Sequence, residues 1–393
     1  MASIVDTSVK HAYSSMTGAP AISGTAGSLI AALDAFLVTG WGSKVVDSAV
    51  ISNGVCRLTF ASGKSAAEAL TVILVSGATP AALNGEQKVT AVANGWVEFK
   101  TALPDGPVSG SISFKMAPLG WEKVFSGTNK AVYRQIDPAS TRTYYRIDDA
   151  NALYARVQMY ESMTDVDTGV AVAPLSVAGG YYWHRRASAG AAGCYWVLVG
   201  DSRGFYAVFH PATQALAASN NNYAGVSQYM GDIISYRSGD AWCAALTGAD
   251  TTSYTNQNGC AFCVAASTGF SLKRMAHGLG AGVQTYRRVF GTNASASGAD
   301  AYLGSFPSVV DNGLHLSPIL LADGISSGAP RGILPGAFHI PQSGVLAGFG
   351  SDVAYTKGQG AFAGKQLLSV QIGTPSGGNA GIAMFDVSTP WRS

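Results

Sequence analysis

Residues 129–149, NKAVYRQIDPASTRTYYRIDD, alternate apolar or aromatic side chains with charged ones on both sides of an Asp-Pro pair. Successive side chains of a strand point to opposite faces. Val132, Arg134 and Ile136 therefore share one face of a first strand, and Arg142, Tyr144 and Arg146 share one face of a second, around Asp137-Pro138. The second strand is polar on that side and apolar on the side of Thr143, Tyr145 and Ile147. The pattern predicts an edge hairpin at a domain or subunit boundary. Arg142, Tyr144 and Arg146 are its candidate contact residues.

The same alternation extends in both directions from this hairpin. AVISNGVCRLTF (49–60) and QKVTAVANGWVEFK (87–100) each carry Asn-Gly between two alternating runs, a strong hairpin signal because Asn and Gly tolerate positive φ. SGATPAALNGE (76–86) between them reads as an ordered loop. Further on, YWVLVGDSRGFYAVF (195–209) reads as strand, four-residue turn, strand, and GDIISYRSGDAWCAAL (231–246) reads likewise around Ser238-Gly239-Asp240. No Glu follows Glu161, and only Lys273, Lys357 and Lys365 remain beyond it, so the residues that furnish exposed helix faces run out. No fixed-period repeat, heptad run or Gly-X-Y tract occurs.

One stretch has helical spacing. SGTAGSLIAALDAFLVTGWG (23–42) places Leu29, Ile30, Leu33, Phe36 and Leu37 on one face, with Thr25 or Ser23 to cap its start and Gly40 to end it. A lone helix of this length is marginal in water, so its stripe packs on the chain's own sheets or on another subunit. These five residues are the candidate assembly helix. The expected architecture is mainly β: a helical anchor segment over 1–43, a small antiparallel β-domain over 44–118, and a larger β-sandwich-like region over 119–393.

Composition limits the function. Of 393 residues, 12% are charged, half of the ~25% typical of soluble chains, and 48 are glycine. The net charge of +2 supplies no basic stripe for a phosphate backbone, which argues against nucleic acid as a partner. No uncharged apolar run reaches the roughly 18 residues of a membrane span, and the start MASIVDTSVK lacks the basic and apolar regions of a signal peptide. The expectation is a protein made in the cytoplasm, with Cys56, Cys194, Cys243, Cys260 and Cys263 as reduced thiols.

Chemical motifs are few. Cys260-Ala-Phe-Cys263 with Cys243 and His277 has part of a zinc pattern, but Cys243 in a predicted strand reads better as a small buried hydrophobe. Asp165 and Asp167 in ESMTDVDTG (161–169) start a calcium loop that then fails, with Gly169 one place early and Ser176 where a bidentate Glu belongs. GQGAFAGKQ (358–366) lacks the first Gly and the Ser or Thr of a phosphate loop. His184, His210, His277, His315 and His339 have no nucleophile signature beside them. No cofactor is expected. A glycan-cleaving site needs two flanking carboxylates, for which Asp201, Asp232 and Asp240 are available.

Binding is the better-founded class. GGYYWHRRASAG (179–190) sets Tyr181, Tyr182 and Trp183 beside His184, Arg185 and Arg186, the residue types that contact surfaces favour. On an alternating strand half of them face the core instead. If the cluster is an adhesive surface, alanine at Trp183 and Arg185 impairs host adsorption.

Several pieces resemble structural proteins of tailed bacteriophages and prophages: DTSVKHAYSSMTGAPAISGTAGSLIAALDAFLVTGWG (6–42), SGATPAALNGEQKVTAV (76–92), FSGTNKAVYR (125–134), ESMTDVDTG (161–169), RGILPGAFH (331–339) and AMFDVSTPWR (383–392). The resemblance implies a virion component of the tail or baseplate and carries over no catalytic or ligand residue. It leaves open a head or collar decoration protein, and a glycan-degrading tail enzyme. Its implied partners are other virion proteins, further copies of the same chain and a host-surface receptor.

Overall fold

A computed structural model describes residues 3–61, 63–212, 225–240, 243–254, 271–276, 281–288, 303–323, 329–349, 353–373 and 380–392. The protein is mainly β, and its strand pairs are antiparallel. Eight strands between Lys44–Val45 and Ser113–Met116 form one sheet that curls into a half-barrel. Five strands form a second, in the order Trp121–Gly127, Lys130–Gln135, Tyr144–Asp148, Tyr154–Tyr160 and Tyr181–His184. A thirteen-stranded sheet runs from Lys10–Tyr13 at one edge to Ala354–Lys357 at the other.

Turn chemistry decides the hairpins as expected. Asn53 (φ 52) and Gly54 (φ 74) both adopt left-handed backbone between Ser48–Ser52 and Val55–Thr59, as the twist-matching two-residue turn requires. At the second Asn-Gly only Gly95 (φ 81) does so, between Gly85–Ala93 and Trp96–Lys100. A register shift between Val89 and Ala91 adds a bulge there, which bends the sheet. Tyr195–Asp201 and Gly204–His210 pair down to Asp201 opposite Gly204, so their turn is two residues, Ser202 and Arg203, rather than four. Val226–Asp232 does pair with Ala244–Leu246, but the connection sends Ile234–Ser235 across to Pro330–His339.

The helix is shorter and more deeply embedded than its sequence predicts. Ser28–Leu33 is α-helical and Asp34–Thr39 continues as a π-helical turn, closed by Gly40 N–H on Ala35 O at 2.8 Å. Gly40 (φ 71) ends it as expected. Neither Ser23 nor Thr25 caps its start. Gly27 occupies that position, and the Asp149 carboxylate accepts from Leu29 N–H at 2.9 Å and Ile30 N–H at 3.4 Å. A carboxylate there offsets both the unpaired donors and the positive helix end.

Leu29, Ile30, Leu33, Phe36 and Leu37 are all buried in the chain's own core. Phe36 meets Phe205 edge-on at 6.3 Å, and Leu119 N–H donates to Phe36 O. The stripe expected as an assembly face is therefore consumed internally, because it closes the junction between the sheets. Strands from the same segment also join the rest of the chain: Lys10–Tyr13 pairs with Tyr195–Asp201, and Ser23–Gly24 with Gly190–Gly193.

Lys88 reinforces this junction. Its ammonium, on a residue 3% exposed, donates to Val387 O at 2.6 Å and Val9 O at 3.3 Å, tying the half-barrel to segments near both ends of the chain. Burial pulls Lys88 down from 10.5 to about 8, with Asp6 and Asp386 opposing and Lys10 assisting. Between those values the unfolded chain binds more protons than the folded one, so stability from this site rises with pH from 8 towards 10.5. The stability difference between wild type and Lys88→Met should grow by about 1 kcal/mol per pH unit over this window in urea titrations. A difference that stays flat would show that Lys88 does not titrate there.

Candidate functional site: an arginine-lined cleft

The sequence candidates separate onto two faces of the five-stranded sheet. Register places Val132 opposite Arg146 and Arg146 opposite Gln158, and it aligns Tyr144 with Tyr160 and Arg156 with Tyr182 on the same side. The other side carries Ala131, Tyr133, Tyr145, Ile147, Val157, Tyr181 and Trp183, all buried, and Thr143 beside them is fully buried too. The predicted polar and apolar faces are thus real.

The polar face is partly roofed. The segment through Ser162–Met163 and Gly169–Val170 folds over it, packing Met163 and Val166 near Val132, Tyr144 and Tyr160. Arg146 is buried beneath this roof, donating to Asp167 Oδ1 at 2.5 Å and Val166 O at 2.8 Å. Asp165 accepts from Asp167 N–H and Thr168 N–H, so the two aspartates shape and anchor a turn. Beyond the roof Arg156 lies 3.8 Å over Tyr182, and Arg134 lies 4.7 Å over Tyr144. Arg142, expected on the face of Tyr144 and Arg146, instead lies two residues before the strand Tyr144–Asp148, exposed, in left-handed backbone (φ 52) and 3.6 Å from Glu122.

Tyr181, Trp183 and Arg185 are not a contact surface. Trp183 is fully buried, with its Nε1–H on Thr247 O at 2.7 Å and its ring 6.2 Å from Phe205. Arg185 is also fully buried, with Nη1 2.8 Å from Asp149 Oδ1. It donates to Ser23 O, Thr25 O and Asn151 O, binding the helix entry to the sheet. Burial pushes the Asp149 carboxyl up to about 6, while Arg185 and the N–H groups of Leu29, Ile30 and Gly27 hold it down, so it is ionised at neutral pH. Arg186 is half-buried and donates to Gly193 O.

Alanine at Trp183 or Arg185 therefore tests folding and not adsorption. Parity on the strand is the reason: alternate residues enter the core. Cys260, Cys263 and His277 lie outside the described residues. Cys243 is buried, and burial pushes its thiol up to about 12, which leaves it a poor nucleophile.

The opening hairpin has a second role through its loop. Ala139, Ser140 and Thr141 form one wall of an open cleft of about 690 Å³. Arg203 contributes from its two-residue turn, Ile233, Ile234, Ser235, Arg237, Gly239, Asp240 and Cys243 from one connection, and Trp391 and Arg392 from near the end of the chain. The volume is that of small-ligand sites.

Ion pairs hold these walls. Asp232, fully buried, accepts from Thr141 Oγ1 at 2.6 Å, Thr141 N–H at 2.9 Å and Arg203 Nη2 at 3.2 Å. Arg392 Nε donates to Asp201 Oδ2 at 2.8 Å, and its Nη2 donates to Asp232 O at 2.7 Å. Burial opposes the Arg392 charge, but Tyr229, Asp201 and Asp232 outweigh it and hold the guanidinium above its usual value. Asp240 Oδ2 accepts from Ser235 Oγ at 2.6 Å and lies 3.3 Å from Arg331 Nη1. Arg237 and Arg331 share Asp323. A scan against family models, and comparisons with curated proteins and with solved structures, found no match to this chain.

Asp201, Asp232 and Asp240, the carboxylates available to a glycan-cleaving site, do gather around this cleft. Each is committed to an arginine and to hydroxyl or backbone donors, as wall-holding groups are. Arg203, Arg237 and Arg392 carry no sequence signal of their own. An Arg in a tight turn beside an Asx-type Asp201 is the nearest hint.

Proposed function

We propose that the protein is a structural component of a tailed-phage virion, associated with the tail or baseplate, and that the cleft at Arg203, Arg237 and Arg392 meets the host surface. The phage-protein resemblance supplies the virion half of this reading. The cleft carries the other half: it is a concave site on a β framework, lined by Arg203, Arg237, Arg392 and Asp240 with the hydroxyls of Ser140, Thr141 and Ser235. The guanidinium groups there are held in place by their aspartates, which favours recognition.

Two measurements test the halves separately. Mass spectrometry of purified particles should find the chain as a constituent, and a chain present only in infected-cell extract would overturn the virion reading. Particles carrying Arg237→Ala should adsorb to host cells about tenfold more slowly, since Arg237 is exposed and dispensable for folding. Unchanged adsorption would remove the host-contact role. Shortened glycan chains after incubation with the protein would favour the enzyme alternative instead.

A further inference from the structure

We infer that the cleft binds a neutral saccharide, gripping its hydroxyls with Arg203, Arg237, Arg392 and Asp240, and this rests on the cleft being a ligand site as proposed above. Charge balance is the first observation. Arg203, Arg237, Arg331 and Arg392 are matched by Asp232, Asp323, Asp240 and Asp201, each pair within 3.4 Å. A site for phosphate or a free carboxylate needs uncompensated positive charge; among the described residues this one has none to spare. The lining instead sets guanidinium donors beside the Asp240 carboxylate and the hydroxyls of Ser140, Thr141 and Ser235, a mixture that matches groups that both donate and accept, as a sugar hydroxyl does.

An unmet donor is the second observation. Arg392 uses Nε on Asp201 and Nη2 on Asp232 O and on the Tyr229 hydroxyl, while its Nη1 is buried without a hydrogen-bond partner. Buried donors without partners are rare, and this one sits on a residue that lines the cleft. Arg203 likewise spends Nε and Nη2 on Asp232. The third observation is the lining: Ser140, Thr141 and Ser235 edge the cleft with hydroxyls beside the part-exposed Ile234. Acidic and neutral sugars both carry hydroxyls, and the balanced walls select the neutral ones.

Titration calorimetry of the full chain against three probe sets decides the matter: neutral hexose oligosaccharides, uronate oligosaccharides and inorganic phosphate, each at low and high salt. Neutral oligosaccharides should bind with a Kd that changes less than about twofold with salt, because no net charge is neutralised. Arg237→Ala should weaken that binding about tenfold, and Gly313→Ala, remote from the cleft lining, serves as a control for handling. Binding confined to uronate or phosphate, falling steeply with salt, would overturn the inference. So would the absence of heat with every neutral oligosaccharide. Adsorption by Arg237→Ala particles is independent of this result: lost adsorption with no neutral-sugar binding refutes the ligand class alone, and sugar binding with normal adsorption refutes the host role alone.

Discussion

Replacing Arg185 with methionine should destabilise the protein by about 3–5 kcal/mol, read as a shift of the guanidinium unfolding midpoint. The cost comes from what remains. Asp149 has no exposed side-chain surface, and without Arg185 it would be a buried charge held only by backbone N–H groups from the start of the helix. Asn151 O would also lose its Arg185 donor, and Ser23 O and Thr25 O would be left with the donors of Ser28. Removing the charge as well should recover part of the loss. The double variant Asp149→Asn, Arg185→Met keeps an acceptor for Leu29 N–H and should be more stable than Arg185→Met alone by at least about 1 kcal/mol. If the single variant costs less than about 1 kcal/mol, the pair is not what joins helix to sheet.

Gly231→Ala should cost about 4 kcal/mol and abolish ligand binding in the cleft. Gly231 has φ +133, strained for any residue with a Cβ, and an added methyl would stand 2.2 Å from Gly204 Cα and 2.4 Å from Arg203 O. Both are backbone atoms of the neighbouring strand and its turn, so no side chain can swing aside. Backbone strain of roughly 1–3 kcal/mol and overpacking of a similar size combine. The Arg203 turn, pressed against Asp232, would shift and take one cleft wall with it. Gly239→Ala is the matched comparison, with φ +65 but nothing within 4 Å of the new methyl. It should lose only about 1–2 kcal/mol of strain. Equal losses in the two variants would mean that close strand approach at Gly204 and Gly231 is not the decisive contact.

Much of the local structure was legible because it depends on neighbours in the chain. Alternation over 129–149 separated Thr143, Tyr145 and Ile147 from Tyr144 and Arg146, and the sheet keeps that separation. Asn53-Gly54 turned as its residue types require, and Gly40 ended the helical segment. The same logic, applied to Tyr181–His184, states that alternate residues enter the core. It does not state which ones, and the residue types of the aromatic cluster suit a contact surface and a core alike.

The remainder rests on contacts between residues far apart. Asp149 caps a helix 120 residues upstream. Arg392 reaches Asp201 across 191 residues, and Lys88 reaches Val387 across 299. By itself the sequence determined the β class, the hairpin turns and the two-sided character of the strands, since strand period and turn dihedrals are set within a few residues. Only the tertiary structure decided that the helix stripe and Arg185 lie inside and that three distant arginines share one cleft. Burial and charge pairing are properties of what packs alongside, and nothing within a few residues of Arg203 or Arg392 specifies it.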